Sequence, residues 1–287
     1  MASARTTSKA MGVGYRTVDG VRIRCAESDG PADRTVVLTS PWPESVYAFA
    51  PIWSVLGRRF RLFAVDLPGF GASERRDDLL SPRAMGAFLV RLVDECELGR
   101  PHLVAPDVGT SAALFAAASS PEAVASVVVG SGGVAVPIEL GEPLKGWVLD
   151  PDVERFRSVD SATIVTTALE TVAGYEFPHA IREDYLESYA GDRFFQSMRY
   201  ARRYPDELPA LAQLLPELQT PVLIFAGLRD RVVPLVNAEF LAARIPRSRL
   251  APIDSGHFVW EEASGRFAAM IAGWVTGGYR ESEGDDD

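Results

Sequence analysis

The sequence predicts an α/β fold: a mainly parallel central sheet, flanked by helices and interrupted by one helical insertion. Three observations predict it. Short apolar runs of strand length alternate with amphipathic helical patterns on either side of residues 134–218. Within 134–218, helical patterns continue but no strand signal appears. The run Leu103-Val104-Ala105-Pro106 passes through a turn at Asp107 straight into an Ala-rich stretch opening at Gly109, a strand-to-helix elbow.

Taken in order, Asp19-Gly20 between the runs 15–18 and 21–25 is a hairpin signal. Residues 35–40 read as a buried strand that ends in Pro41-Trp42-Pro43-Glu44-Ser45, where Trp42-Pro43 is a candidate cis bond. A helical stretch through Trp53 and Leu56 leads to the strand 60–67 and the loop Pro68-Gly69-Phe70-Gly71-Ala72-Ser73. Ser81-Pro82 opens the next helix, with proline at the first helical position, where its missing N–H costs nothing. Met85, Phe88, Leu89 and Leu92 form that helix's buried face. The elbow helix spans 111–119, and the next apolar strand 124–129.

The insertion is rich in aromatics, among them Trp147, Phe156, Tyr175, Phe177, Tyr185, Tyr189, Phe194 and Tyr200, most of which read as its own core. Strand signals resume at 221–226 and 250–253 with a helix over 237–244 between them, and a final amphipathic helix covers 259–275. The domain reading is a core of 13–133 and 219–276 with a helical cap at 134–218. The ends, 1–12 and 277–287, are expected to be disordered, the second because it is acidic and lacks apolar anchors.

Composition narrows the partners. A chain of 287 residues with 47% hydrophobic content can bury a large core, and a net charge of -10 repels nucleic acid and anionic membrane surfaces alike. Cys25 and Cys96 are too few for a disulfide framework, and no apolar run approaches the roughly 18 residues of a membrane span. The polar N-terminal stretch lacks the hydrophobic centre of a signal peptide, so the expected location is cytoplasmic. No metal-ligand spacing or phosphate-cradling glycine loop is present; Gly69-Phe70-Gly71 lacks the third glycine, and neither cofactor nor metal is expected.

The chemistry centres on Asp107. A hydroxyl needs a base before it can attack, whereas a carboxylate is already ionised at neutral pH and can displace a leaving group from saturated carbon directly. Alone, Asp107 is more readily read as a turn or N-cap residue. Two residues downstream decide between these readings. Asp230 follows the strand 221–226, and His257 follows the last strand in Asp254-Ser255-Gly256-His257-Phe258, so both belong at the sheet edge that carries Asp107. The other histidines are misplaced for a base: His102 precedes the elbow strand and His179 lies in the insertion.

The order Asp107, Asp230, His257, with small Ala105 and Gly109 two positions either side of the elbow residue, resembles the α/β-hydrolase superfamily. The likeness runs over 15–275 and is to the Asp-nucleophile branch, which holds epoxide hydrolases and haloalkane or haloacid dehalogenases. Trp42-Pro43-Glu44-Ser45-Val46-Tyr47 is similar to the oxyanion loop of epoxide hydrolases, and Asp66-Leu67-Pro68-Gly69-Phe70-Gly71-Ala72-Ser73 matches a loop common to the superfamily. The resemblance implies an α/β-hydrolase fold with an inserted helical cap, Asp107 as nucleophile, His257 as base and Asp230 as its partner. The oxyanion hole would be the N–H groups of Trp42 and Val108. Tyr200 would be the acid that meets the epoxide oxygen, and Trp147 and Tyr175 would line the substrate site.

The sequence departs from the branch at Ser40-Pro41, where His-Gly is usual, at Pro106, and at Val108, where an indole is common. Without that indole the expectation is a cofactor-independent epoxide hydrolase producing a vicinal diol. One alternative is a dehalogenase with Trp42, Trp147 and Tyr200 as halide donors. Another is a non-hydrolytic cyclase or ligand-binding protein on the same scaffold. The expected partner is a small apolar or biosynthetic-intermediate substrate, with a homodimer left open.

Overall fold

The computed structural model describes residues 11–31 and 33–277; residues 1–10 and 278–287, which carry nearly all of the two ends read as disordered, lie outside the described residues. Strands β1 (Val13–Val18) and β2 (Val21–Glu27) form an antiparallel hairpin over Asp19-Gly20. Both turn residues have positive φ, 49° and 74°, as a two-residue turn matched to strand twist requires. Six further strands follow: β3 (Thr35–Thr39), β4 (Arg61–Val65), β5 (His102–Pro106), β6 (Ser126–Gly130), β7 (Val222–Gly227) and β8 (Ser248–Ile253). The sheet order is β1-β2-β4-β3-β5-β6-β7-β8, parallel from β4 to β8. β3, β5, β6 and β7 are buried along their whole length, which is why they read as unbroken apolar runs; edge strand β8 is only partly covered.

The helices outside the insertion are α1 (Ala50–Gly57), α2 (Pro82–Glu95), α3 (Gly109–Ser119), α9 (Val236–Ala242), α10 (Val259–Glu262) and α11 (Ser264–Thr276). Alternate residues of each strand point to opposite faces. Val37 and Leu103 pack with Met85 and Phe88 of α2, whereas Val36, Leu38 and Val104 pack with Ile52 of α1 and Phe267 of α11. The helix expected over 259–275 is two helices, because Ala263 leaves helical geometry at φ -127° and ψ 37°.

Between β6 and β7 lie α4 (Leu144–Leu149), α5 (Ser161–Glu170), α6 (His179–Ser188), α7 (Arg193–Ala201) and α8 (Tyr204–Leu214), with no strand among the described residues. Helix α6 is pinned to the core by one face, since Asp184, Tyr185 and Ser188, with Tyr189 just past its end, are neighbours at helical spacing. Arg24 of β2, buried, donates to Asp66 at 2.6 Å and to Asp184 at 2.5 Å. Ser45 donates to Asp184 at 2.6 Å, and the Tyr189 hydroxyl donates to the Glu44 carbonyl at 3.0 Å. The inserted helices are thereby fixed over the loops that follow β3 and β4.

The order of connection matters for the site. From β3 the chain moves outward to β4, then returns across to β5, so β3 and β5 are neighbours whose following segments diverge. A crevice opens at the carboxyl ends of strands at such a reversal. Trp42 follows β3 and Asp107 follows β5, so both stand at that crevice.

Candidate active site

Asp107 occupies the tight turn between β5 and α3. Its φ of 51° is in the left-handed region, at a cost of about 1–3 kcal/mol that the surroundings must enforce. The Asp107 N–H donates to the Gly130 carbonyl at 2.9 Å, and its own carbonyl accepts from Thr110 N–H at 3.0 Å. A side chain at Gly109 would run into Thr39 Oγ1 and would lie 3.1 Å from Ala105 Cβ, so the small residues flanking the elbow are a packing requirement. The start of α3 also presents the positive end of its dipole to the carboxylate.

The two carboxylate oxygens have different partners. Trp42 N–H donates to Asp107 Oδ2 at 2.6 Å, and the nearby Val108 N–H also favours the charged carboxylate. The Trp42-Pro43 peptide is cis. Asp107 Oδ1 instead faces His257 Nε2 at 3.8 Å. That separation is too long for a direct hydrogen bond but lies within ion-pair distance. On its other side the imidazole meets Asp230, with Nδ1 to Oδ2 at 2.8 Å. Asp230 Oδ1 accepts from Val232 N–H and Val233 N–H, each at 2.8 Å, so the turn after β7 holds the carboxylate rigidly toward the ring.

Burial and pairing set the protonation states. Burial pushes the Asp107 carboxyl up to about 6, against the opposing pull of His257 and the Trp42 and Val108 N–H groups. Burial disfavours charge on His257, but Asp230 and then Asp107 outweigh it and raise the ring to about 9. At neutral pH the resting pair is a carboxylate and an imidazolium.

A cavity of about 390 Å³ opens on Asp107 and His257. Its walls are mainly apolar, including Leu144, Ile164 and Phe258, with Trp42, Trp147 and Phe194 forming an aromatic group on one side. Phe194 stacks on Trp42 at 4.8 Å, and Trp147 stands edge-on to Trp42 at 5.6 Å. Trp42 Nε1 is buried without a hydrogen-bond acceptor among the described residues. Polar side chains gather at the mouth: Thr163, Thr167, Glu142 and Arg231, all exposed.

Two expectations require correction. Tyr200 is fully buried and absent from the cavity wall; its hydroxyl donates to the Val108 carbonyl at 2.8 Å and contacts Ser111 Oγ at 3.3 Å. It braces the elbow from behind and cannot meet a substrate oxygen in this arrangement. Tyr175 also lies off the cavity, packed edge-on against Phe177 at 5.0 Å. Trp147 does line the cavity. Phe194 and the buried carboxyls Glu44 and Glu261 were not anticipated. Phe194 carried a signal in the run Arg193-Phe194-Phe195, but the sequence does not show which ring faces inward.

A model of the α/β-hydrolase fold family matches residues 34–264. The chain is 24% identical over 277 residues to the uncharacterized hydrolase YugF of Bacillus subtilis (strain 168), covering 90% of this chain and 96% of that one. It is 28% identical over 225 residues to the 2-hydroxymuconate semialdehyde hydrolase of Pseudomonas sp. (strain CF600), covering 77% and 78%. Among solved structures, Cfl2 of Burkholderia cenocepacia is similar with a TM-score of 0.79 at 25% identity, over 94% of this chain and 97% of that one.

Proposed function

Because the chain belongs to the α/β-hydrolase fold family, and is a hydrolase of that fold, we propose that it displaces a leaving group from a saturated carbon through a covalent ester on Asp107. The observation that carries this reading is the division of labour between the two Asp107 oxygens. Oδ2 is held by Trp42 N–H at 2.6 Å, whereas Oδ1 faces His257 Nε2 at 3.8 Å. Oδ1 attacks carbon, the leaving group departs with the bonding pair, and Oδ2 becomes the ester carbonyl oxygen, already seated in its oxyanion hole.

Ester formation then prepares the second step. It removes the Asp107 negative charge, one of the groups that raise the proton affinity of His257. The imidazolium gives up its proton to solvent and becomes the neutral base that takes a proton from the attacking water. That water attacks the ester carbonyl carbon, and the Trp42 and Val108 N–H groups hold the tetrahedral oxyanion; on collapse the bond from the carbonyl carbon to the alkyl oxygen breaks, that oxygen takes the proton of the new carboxyl and leaves as the alcohol, and the carboxylate is restored. Asp230 fixes the ring orientation and stabilises its charged form. The inserted helices 134–218 serve in this reading as a cap whose side chains shape the substrate cavity.

The leaving group is the finer question. Among the described residues the cavity wall contains no tyrosine hydroxyl, and Trp42 carries an indole N–H without an acceptor beside the second indole of Trp147. Such donors suit an anion that leaves without needing a proton, which favours a haloalkane. A haloacid would need a cation beside the reacting carbon, and Arg231 is exposed at the cavity mouth. An epoxide is the second reading. Its support is the His257 imidazolium, which can deliver a proton to the alkoxide through a water and then act as base.

A panel of 1-haloalkanes and terminal epoxides, assayed for halide and diol, tests the choice. Trp42→Phe keeps the backbone N–H and removes only the indole donor. Haloalkane turnover is expected to fall about 10- to 100-fold, the worth of a hydrogen bond to a charged group, while epoxide opening changes much less. Equal losses on both substrates would remove the indole from the leaving-group role.

The pH dependence follows from Asp107. Its charged form attacks, so kcat/KM should fall as pH drops through about 6, where the buried carboxyl takes up its proton. A profile flat down to the ordinary carboxylate range near 4 would contradict a buried nucleophilic carboxylate.

A further inference from the structure

Two buried carboxyl groups stand directly behind this site and take no part in the steps above. Glu44 is 0% exposed on the loop after β3, two residues beyond Trp42; Glu261 is 3% exposed on α10, four residues beyond His257. Trp260 Nε1 donates to Glu44 Oε2 at 2.7 Å, and the Tyr185 hydroxyl of α6 donates to Glu261 Oε1 at 3.2 Å. The remaining oxygens, Glu44 Oε1 and Glu261 Oε2, are buried without a hydrogen-bond partner among the described residues, and each carboxyl is close enough to the other to alter its proton affinity. Ionised carboxylates are acceptors only, so direct contact between the two groups requires one of them to keep its proton.

We propose that Glu44 and Glu261 share a single proton, and that this pair is the positioning device setting the Trp42 N–H and the His257 ring against Asp107. The pair joins three separate pieces of chain. Glu44 holds the oxyanion loop, Glu261 holds the segment that carries His257, and Tyr185 ties the inserted helices to both. The residues act through Trp42 and His257, without touching the reacting atoms, so the catalytic half of the proposal rests on the covalent-ester reading above.

One proton is the number that keeps the pair together. With it, the pair carries one negative charge, facing the His257 imidazolium and Asp107 on one side and Glu262, Tyr175 and Tyr185 on the other. Without it, two like charges meet in a buried site. Burial, and the neighbouring carboxyl, hold the last proton well above the ordinary glutamate range. For an acid whose folded-state proton affinity is raised, the stabilising form is present at low pH and lost as pH rises through the folded value. Stability from the pair should therefore decline on the alkaline side.

Glutamine separates this device from simple packing, because its amide N–H donates to the remaining carboxylate and has no proton to lose. Thermal unfolding of the full-length wild type, Glu44→Gln and Glu261→Gln between pH 6 and 10 needs no substrate. The wild-type Tm should fall over that range by at least about 3 °C more than that of either variant. The titration of His257 near 9 is common to all three proteins and largely cancels in the difference. With any substrate the wild type turns over, Glu261→Ala should lower kcat about 10-fold, as loss of a supporting hydrogen-bond partner does, and Glu261→Gln should restore it.

Parallel Tm profiles for wild type and both glutamine variants would overturn the shared proton. A kcat for Glu261→Gln as low as that of Glu261→Ala would overturn the positioning role. Should Glu261→Ala not fold, the comparison of wild type with the glutamine variants still decides, through Tm and its pH profile. Failure of the ester reading leaves the thermal result unaffected, which keeps the two failures apart.

Discussion

Asp107→Asn is expected to abolish turnover, lowering kcat by at least about 10⁴-fold on any substrate the wild type accepts, with no covalent adduct formed. An amide oxygen carries no negative charge with which to displace a leaving group from saturated carbon, and no neighbouring base can create one. Asparagine is the informative replacement because it tolerates the φ of 51° at the elbow and keeps an oxygen for the Trp42 N–H. Folding should not suffer. The proton affinity of Asp107 is raised by burial, so its charged form is held at a stability cost at neutral pH that the neutral amide does not carry. Product release assays report the first effect and thermal unfolding the second; a variant that keeps measurable turnover would assign the attack to another group.

His257→Gln should separate the chemical steps. Attack by Asp107 needs no base, so one equivalent of leaving group per enzyme should still appear in a burst. Ester hydrolysis then lacks its base and slows about 10²- to 10⁴-fold, the usual worth of a positioned general base. Glutamine keeps an N–H that can donate to Asp230 Oδ2, now 2.8 Å from the imidazole, so the turn after β7 is not left with an unpaired buried charge. Stopped-flow halide or ring-opening assays show the burst, and intact mass shows the retained alkyl group. A uniform slowing with no burst would mean that His257 acts before or during the first bond change.

The parts of this arrangement legible in the sequence are those set by local rules. Buried parallel strands must be apolar throughout, and the elbow must have small residues on both flanks, as Gly109 against Thr39 shows. Asp230 and His257 were readable because each directly follows a strand, and parallel strands deliver their ends to one edge. Tyr200 was not readable. Its spacing from Asp230 is a count along the chain, and the face of α7 that meets the elbow is decided by how the inserted helices pack. The same limit hid the α6 face, where Asp184, Tyr185, Ser188 and Tyr189 grip the core. Glu44 and Glu261 come from segments far apart in sequence, and only the folded crevice brings their carboxyls together.

The origin of the product oxygen tests the central claim most directly. A single turnover in ¹⁸O-water, with enzyme in excess over substrate, distinguishes a covalent ester from direct attack by water. If Asp107 Oδ1 forms the new bond, the first product carries unlabelled oxygen from the side chain, and the peptide containing Asp107 gains one ¹⁸O. Label in the first-turnover product, with an unlabelled Asp107 peptide, would contradict the account and leave Asp107 as a base for an attacking water.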